Sequence, residues 1–361
     1  MSGKIHLFSD ASNHSTARYF ERAVSASIGD ESLVCWDQIP SMGDLQADDV
    51  LFFVDPPPDW PLGLENAPCL TVMYLVDVHQ DIDTRLRMSH FFDMVFVAQK
   101  DYVAKFHELG HKNTYWLPLA CDPGIHNLSS ESRPFDVGFV GKLGVWGSPR
   151  YKILTTVLPR YHTNDYNIFY APSEMAKLYG ESKIVFNASI NGDLNMRLFE
   201  ALASGALLVT DRIENGLPEL FEEGIHYVGY STIDEAIKKI NYYLANPLER
   251  ENIALEGQRV ALAHHTYLHR WEEIAKLSHG KFGQAPARTY SRKTLADIYS
   301  AIFVSLRLPK RIPAVIRQYG LTQNVIHNLV KGWARWLNAR VPFTRNALCA
   351  RVYAAFARWN S

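Results

Sequence analysis

Cysteine, long apolar runs and net charge are all scarce in this sequence, and each shortage removes a class of protein. Only four cysteines occur in 361 residues, Cys35, Cys69, Cys121 and Cys349, far apart and without a C-x-x-C pair. That usage argues against a disulfide scaffold, a dithiol redox centre or a cysteine zinc site, and suits buried thiols in a reducing cytoplasm. The polar start MSGKIHLFSDAS lacks the apolar segment of a secretory signal. The most lipid-like stretch, Ile298 to Leu308, is too short and too interrupted by Ser and Arg to span a bilayer. No Walker A loop and no G-x-S-x-G occur, which argues against kinase and hydrolase chemistry.

What is present is the composition of a folded protein, 47% hydrophobic and 12% aromatic. At roughly 100 to 200 residues per domain the length favours two full-sized cores. The balance of 37 Lys+Arg against 38 Asp+Glu hides a division near Pro286. Residues 287–361 hold 13 basic side chains and one acid, Asp297, so the preceding part carries 24 basic and 37 acidic groups.

Short β-branched runs alternate with helix-like stretches, the pattern of a parallel sheet with crossover helices. Strands are expected at Ile5 to Ser9, Leu33 to Trp36, Val50 to Val54, Leu70 to Val76, Met94 to Ala98 and Thr114 to Leu117, with helices at Ala17 to Ser27 and Lys100 to Leu109. The stretch CDPGIHNLSSESRP, Cys121 to Pro134, reads as a linker. The alternation then restarts, with strands at Phe135 to Val140, Asn167 to Phe169, Ile184 to Asn187, Ala206 to Thr210 and His226 to Val228. Helices are expected at 149–158, 173–180, 196–204 and 231–245, then continuously through 247–280. The fold class is therefore α/β: two Rossmann-like, doubly wound domains, 1–125 and 134–285, and a basic helical extension, 287–361.

Ligands of open α/β sheets bind at the carboxyl ends of strands, where loops and helix N-termini converge. The segment Phe186 to Asp211, FNASINGDLNMRLFEALASGALLVTD, runs strand, Gly-containing loop, helix start, Gly205 and strand. Free N–H groups at that helix start suit an anion, Arg197 adds a fork for phosphate, and Glu200 can accept the two hydroxyl donors of a ribose. As a bare helix, Arg197 and Glu200 are equally an ordinary surface ion pair.

The whole ordered segment resembles the nucleotide-binding signature of GT-B glycosyltransferases of the family 4 type, and in particular the branch similar to spore-maturation CgeB proteins. The matching residues are Asn187, Asn195 to Arg197, Phe199 to Ala201, Ser204 to Ala206, Thr210-Asp211 and the stretch Gly216 to Phe221, with His265 to Tyr267 further on. The N-terminal half matches more loosely through Tyr74 to His79 and Trp116 to Ala120. The family 4 pattern has two glutamates eight positions apart. Glu200 matches the second, and Gly192 stands at the first, leaving Asp193 and the Gly192 and Leu194 amides to meet the donor sugar. The resemblance implies a transferase of bacterial type, active in cell-surface polysaccharide synthesis, that retains anomeric configuration without a bound metal. Its donor is a nucleotide-diphosphate sugar, with no further cofactor. The acceptor is a glycan, a lipid-linked glycan or a protein.

Other candidates sit at equivalent loops. Gly141, Lys142 and Arg150 follow the first strand of the second half and suit the departing diphosphate; a plain turn with a solvated lysine is the alternative. The resemblance places the base pocket at Tyr170. Asp77 and His79 end a buried strand and are taken as catalytic candidates against the sugar, or else as caps of the next helix. Asp81-Ile-Asp83 has D-x-D form but reads as helix-capping carboxylates, and His107/His111 as a helix face rather than a metal site.

In the extension, arginines and lysines are interleaved with Trp333, Trp336, Phe343, Phe356 and Trp359. Amphipathic basic helices suit an anionic membrane surface, here the inner face of the cytoplasmic membrane. Nucleic acid is not expected, because no RRM, KH or OB signature accompanies the basic residues. The competing reading is a helical appendage packed on the acidic body. For the whole chain the alternative is a non-catalytic GT-B scaffold in a glycan assembly complex.

Overall fold

The computed structural model of the chain describes residues 3–8, 16–36, 42–55, 60–128, 130, 132–278 and 290–338. Arg288, Arg340, Arg345, Cys349, Arg351, Arg358 and the aromatic residues Phe343, Phe356 and Trp359 lie outside them.

The first sheet holds six parallel strands, β1 (Ile5–Phe8), β2 (Leu33–Trp36), β3 (Val50–Val54), β4 (Leu70–Leu75), β5 (Met94–Val97) and β6 (Thr114–Trp116), in the order β2-β1-β3-β4-β5-β6. Runs such as VLFFV and LTVMYL have no polar face because both faces of this sheet are covered. Leu7, Phe52, Val72, Tyr74 and Phe96 point to one side, and Phe8, Leu51, Phe53, Met73, Leu75, Val95 and Val97 to the other, the period of two of a pleated strand. The first side is covered by α1 (Ala17–Ile28), the second by α2 (Ile82–Ser89) and α3 (Val103–Glu108).

The segment expected as a linker contains a short helix, α4 (Pro123–His126), capped by Asp122. Then follow β7 (Phe135–Gly138), α5 (Pro149–Val157), α6 (Pro172–Gly180), β8 (Ser182–Phe186), α7 (Met196–Ala203), β9 (Leu207–Asp211), α8 (Leu217–Leu220), β10 (Val228–Tyr230), α9 (Ile233–Ala245), α10 (Pro247–His264) and α11 (Tyr267–Ser278). The four strands lie parallel in the order β10-β9-β8-β7.

Three expected elements differ, the first being the strand expected at His226 to Val228, which lies two residues further on, at Val228–Tyr230. Asn167–Phe169 is a loop, not a strand: the Asp165 carboxylate accepts from the Asn167 N–H at 3.0 Å, an Asx turn, and Thr163 makes the bridge to Val137 in its place. The helix expected through 247–280 breaks at His265-Thr266. There Cys121 pairs with the chain, its N–H donating to the His265 carbonyl and its carbonyl accepting from the Tyr267 N–H, each at 3.0 Å. This pairing sends α11 back onto the first sheet, where Tyr267 stacks on Tyr19 at 5.0 Å and Trp271 meets Phe52.

The extension forms α12 (Arg292–Ser305), α13 (Ile312–Tyr319) and α14 (Gln323–Asn338). Its apolar stripe is spent inside the protein. Leu295, Tyr299, Ile302 and Phe303 of α12 are buried against the second side of the first sheet, with Tyr299 4.7 Å from Phe91. The Tyr299 and Tyr319 hydroxyls both donate to the Glu65 carboxylate at 2.7 Å. The lone acid Asp297 accepts from Thr322 and, at 2.9 Å, from Asn324 at the start of α14. Packing on the first domain therefore describes α12 and α13, and the apolar side of α12 is not available to a membrane. Among the described residues no helix is long and apolar enough to cross one.

Candidate active site between the two sheets

The carboxyl ends of β7, β8 and β9 meet those of β4 and β5. The join is made by Gln99, directly after β5: its side-chain amide donates to the Leu194 carbonyl and its carbonyl oxygen accepts from the Leu194 N–H, each at 3.1 Å. Asn215, which follows β9, adds bonds to Asp101, and Lys100 pairs with Glu219. Leu194, expected to offer a free amide to a sugar, is fully buried with both backbone groups engaged; the Gly192 N–H likewise donates to the Ser189 hydroxyl at 3.1 Å. Of the three groups expected there, Asp193 keeps one carboxylate oxygen to offer, the other accepting from the Ile190 N–H.

The loop from β8 to α7 needs two consecutive left-handed residues, Asn191 (φ 55°) and Gly192 (φ 76°), the types that tolerate this conformation. It is held from behind: the Tyr230 hydroxyl donates to the Asn187 carbonyl at 2.7 Å, the Asn187 amide donates to Thr210, and Ser189 bonds the Asp211 carboxylate through its N–H at 2.8 Å. The helix α7 begins at Asn195, whose side chain makes no cap and whose Oδ1 is buried without a hydrogen bond. The first N–H groups of α7 are therefore uncapped, the arrangement that attracts an anion.

Arg197 lies in the first turn of α7. Its Nε and Nη2 donate to the Val140 carbonyl at 2.8 and 2.6 Å, its Nη1 to Asn187 Oδ1 at 2.7 Å, and its guanidinium lies over Phe139 at 4.5 Å. Three of five N–H groups are thus committed to aiming the fork, and the Tyr179 hydroxyl is a further hydrogen-bond partner of the guanidinium. Gly141 allows the approach: with φ 137°, a Cβ built there would lie 2.2 Å from Arg197 Nη2. Gly141→Ala is expected to displace Arg197 and lower turnover about as far as loss of the arginine itself, with far-UV circular dichroism unchanged. Wild-type turnover in the variant would remove Arg197 from the site.

Arg150 donates from Nε and Nη2 to the Lys142 carbonyl at 3.1 and 3.0 Å, which leaves the exposed Lys142 side chain at the rim. Burial and the nearby Arg197 push the Arg150 pKa down to about 10, partly offset by Asp193 and Asp211. Two cations brought together in this way favour an anion between them. Asp193 is itself shifted up by burial, with His79 and Arg150 acting against the shift. His79, on the turn Val78–Gln80 after β4, therefore faces the second domain. The charge of Asp77 acts on Asp55 and Arg85 within the first domain.

Glu200, one turn beyond Arg197, is buried at 6% exposure and its carboxylate accepts no hydrogen bond among the described residues; His126 Nε2 stands 3.8 Å away. Burial pushes Glu200 up to about 7 against the pull of Arg197, and burial with Arg22 pushes His126 down to about 4. Both are driven toward neutrality, so the contact is not an ion pair at neutral pH. Tyr170 lies apart, on a groove of about 460 Å³ with Ile168 and Phe169. Its hydroxyl donates to the Asp165 carbonyl at 3.0 Å and lies near Asn164, which pins both backbone groups of Phe139 beside Arg197.

Sequence reasoning overlooked Gln99, Phe139 and His126. A polar residue ending the apolar run MVFVA marked Gln99, and Phe139 ends a buried strand. No signal marked His126, which lies in the apparent linker.

Residues 131–276 match a family model described as glycosyl transferase-like. No curated protein sequence matches the chain. Among solved structures, Anabaena HepE in complex with UDP is similar at a TM-score of 0.56 and 14% identity, covering 76% of this chain and 98% of that one. The same protein with UDP and glucose gives 0.54 at 14% identity, covering 76% and 99%. A glycosyltransferase from Rickettsia africae gives 0.53 at 10% identity, covering 77% and 98%. These likenesses establish the GT-B fold expected from the sequence. The family match places a glycosyl transferase-like domain at residues 131–276, the second half of this fold.

Proposed function

We propose that the protein moves a sugar from a nucleoside-diphosphate donor, with uracil as the base, to a hydroxyl of a glycan, lipid-linked or protein acceptor. The carrying observation is Glu200: a buried carboxylate whose oxygens meet no hydrogen-bond donor among the described residues, one helical turn from Arg197, whose guanidinium is aimed by the Val140 carbonyl and Asn187. A ribose diol on Glu200 and a diphosphate on Arg197 and the α7 N-terminus match that spacing. The UDP and UDP-glucose bound by Anabaena HepE support the choice of base.

In this reading Arg197, Arg150, Lys142, Gly141 and the amides at Asn195 stabilise the departing diphosphate, the work a metal does in other transferases. The sugar–phosphate bond breaks as the acceptor oxygen bonds the anomeric carbon; the electron pair leaves on the phosphate, and the acceptor proton passes to it or to His79. Asp193 contacts the donor sugar, Asp77 orients the turn through Arg85, and Tyr170 supports the base side. We assign retention of configuration and metal independence to this site, and a place beside the family 4 transferases with Gly192 where a first glutamate would stand.

Arg197→Ala is expected to lower kcat/KM at least 100-fold, and Arg197→Lys nearly as much, because an ammonium lacks the fork. A thermal-shift series with UDP, GDP, ADP, CMP and dTDP sugars tests the donor, and EDTA tests metal independence. UDP-sugars alone should raise the melting temperature; no shift with any nucleotide would favour the non-catalytic scaffold.

A further inference from the structure

A cavity lies away from the cluster around Arg197 and Glu200. It measures about 750 Å³ and opens between α2 of the first domain and α12 and α14 of the extension. Four cations line it: Arg87 on α2, Arg307 just after α12, and Lys331 and Arg335 on α14. None of the four forms an ion pair among the described residues, although the body around them is acidic overall. Trp336 supplies an apolar wall. Asp81 and Asp83 line the end of α2 that follows directly on the His79 turn. Arg307 holds φ 60°, a conformation that costs an arginine energy.

Converging unpaired arginines and a lysine match phosphate oxygens, and carboxylates on the same wall match sugar hydroxyls. The volume falls in the range of small-ligand sites, about 300–1,000 Å³. Gly332 fits α14 to this wall, since a Cβ there would lie 3.0 Å from Pro309. Neither α2 nor the extension builds this site alone.

We propose that the cavity binds the acceptor through a phosphate group, the acceptor being a phosphate-linked sugar whose phosphate rests on Arg87, Arg307, Lys331 and Arg335 and whose hydroxyls turn toward Asp81, Asp83 and the His79 turn. This rests on the transferase reading for the word acceptor, and on the cavity alone for the phosphate. The same chemistry arrives either as a soluble sugar phosphate or as a lipid-linked one, and Trp336 offers a seat for the first isoprene units of the latter.

The test titrates the full-length protein, saturated with UDP, with glucose 1-phosphate and with geranyl diphosphate, against the variant Lys331→Ala/Arg335→Ala and, separately, Arg87→Ala. Binding at least tenfold weaker in the variants supports the site, and tighter binding of geranyl diphosphate identifies the lipid-linked source. UDP affinity, measured on the same samples, should not change. Equal binding by wild type and variants, or no binding of either probe, overturns the proposal. Pelleting with phosphatidylglycerol–phosphatidylcholine vesicles that needs Lys331 and Arg335, while neither probe binds, also overturns it in favour of a membrane surface. Failure of UDP to bind would instead overturn the transferase reading and leave the probe titrations to decide the phosphate site.

Discussion

Replacing Glu200 by glutamine is expected to raise the melting temperature by several degrees at pH 8, to change it little below pH 5, and to abolish sugar transfer. The folded protein holds the Glu200 carboxyl near 7 instead of its usual 4.5, because ionising it costs desolvation that the chain does not repay with donors. A pKa raised by folding contributes stability that is complete below about 4.5 and is lost as the pH climbs through about 7. Above 7 the wild type carries a penalty of at most about 3 kcal/mol, and an uncharged isostere recovers about 1–3 kcal/mol of it. The same carboxylate is what a ribose diol would satisfy, so UDP affinity of the wild type should rise through pH 7 while that of Glu200→Gln stays low and flat. Melting curves at three pH values, paired with UDP titrations, check both halves. A variant destabilised at pH 8 would mean that Glu200 is structural.

Ending the chain before residue 290 is expected to unfold the first domain rather than release a soluble enzyme body. Tyr299, Ile302 and Phe303 are fully buried and lie on a sheet face that also carries Phe53, Phe91 and Val95. Removing one such aromatic side chain costs about 3–5 kcal/mol, and removing the helix uncovers the whole face. The truncation further takes both tyrosine hydroxyls from Glu65. The single variant Tyr299→Ala should lower the denaturation free energy by about 3–5 kcal/mol while leaving UDP affinity intact. A truncated protein that melts like the full chain and still binds UDP would show that α12 is an appendage after all. On that expectation the charge division near Pro286 divides the surface, not the folding units. Experiments on the basic residues need substitutions in place of deletions.

The two Rossmann-like sheets were legible because buried parallel strands leave a local signature, continuous apolar runs of four to six residues between turn residues. The short strand expected at Asn167–Phe169 failed because an apolar triplet carries no register, and a side-chain turn from Asp165 captured it. The candidate site was legible where one segment supplies it. The order of Arg197 and Glu200 on α7 is a matter of helical spacing, and Gly141 lies where a strand ends. Asp77 and His79 were read as a pair from one strand end, and within the fold the charge of Asp77 acts on Arg85 and that of His79 on Asp193, residues no local pattern connects.

Sequence alone determined the α/β class, the helix bearing Arg197 and Glu200, and the basic character of the last 75 residues, since each is written within one continuous stretch. Tertiary structure decided that the Leu194 amide belongs to Gln99, that Glu200 is buried beside His126, and that the apolar stripe of α12 faces the first sheet instead of solvent or lipid. Such facts depend on contacts between residues tens to hundreds of positions apart. An amphipathic helix specifies that one side must be covered, but the covering surface is supplied by the rest of the fold.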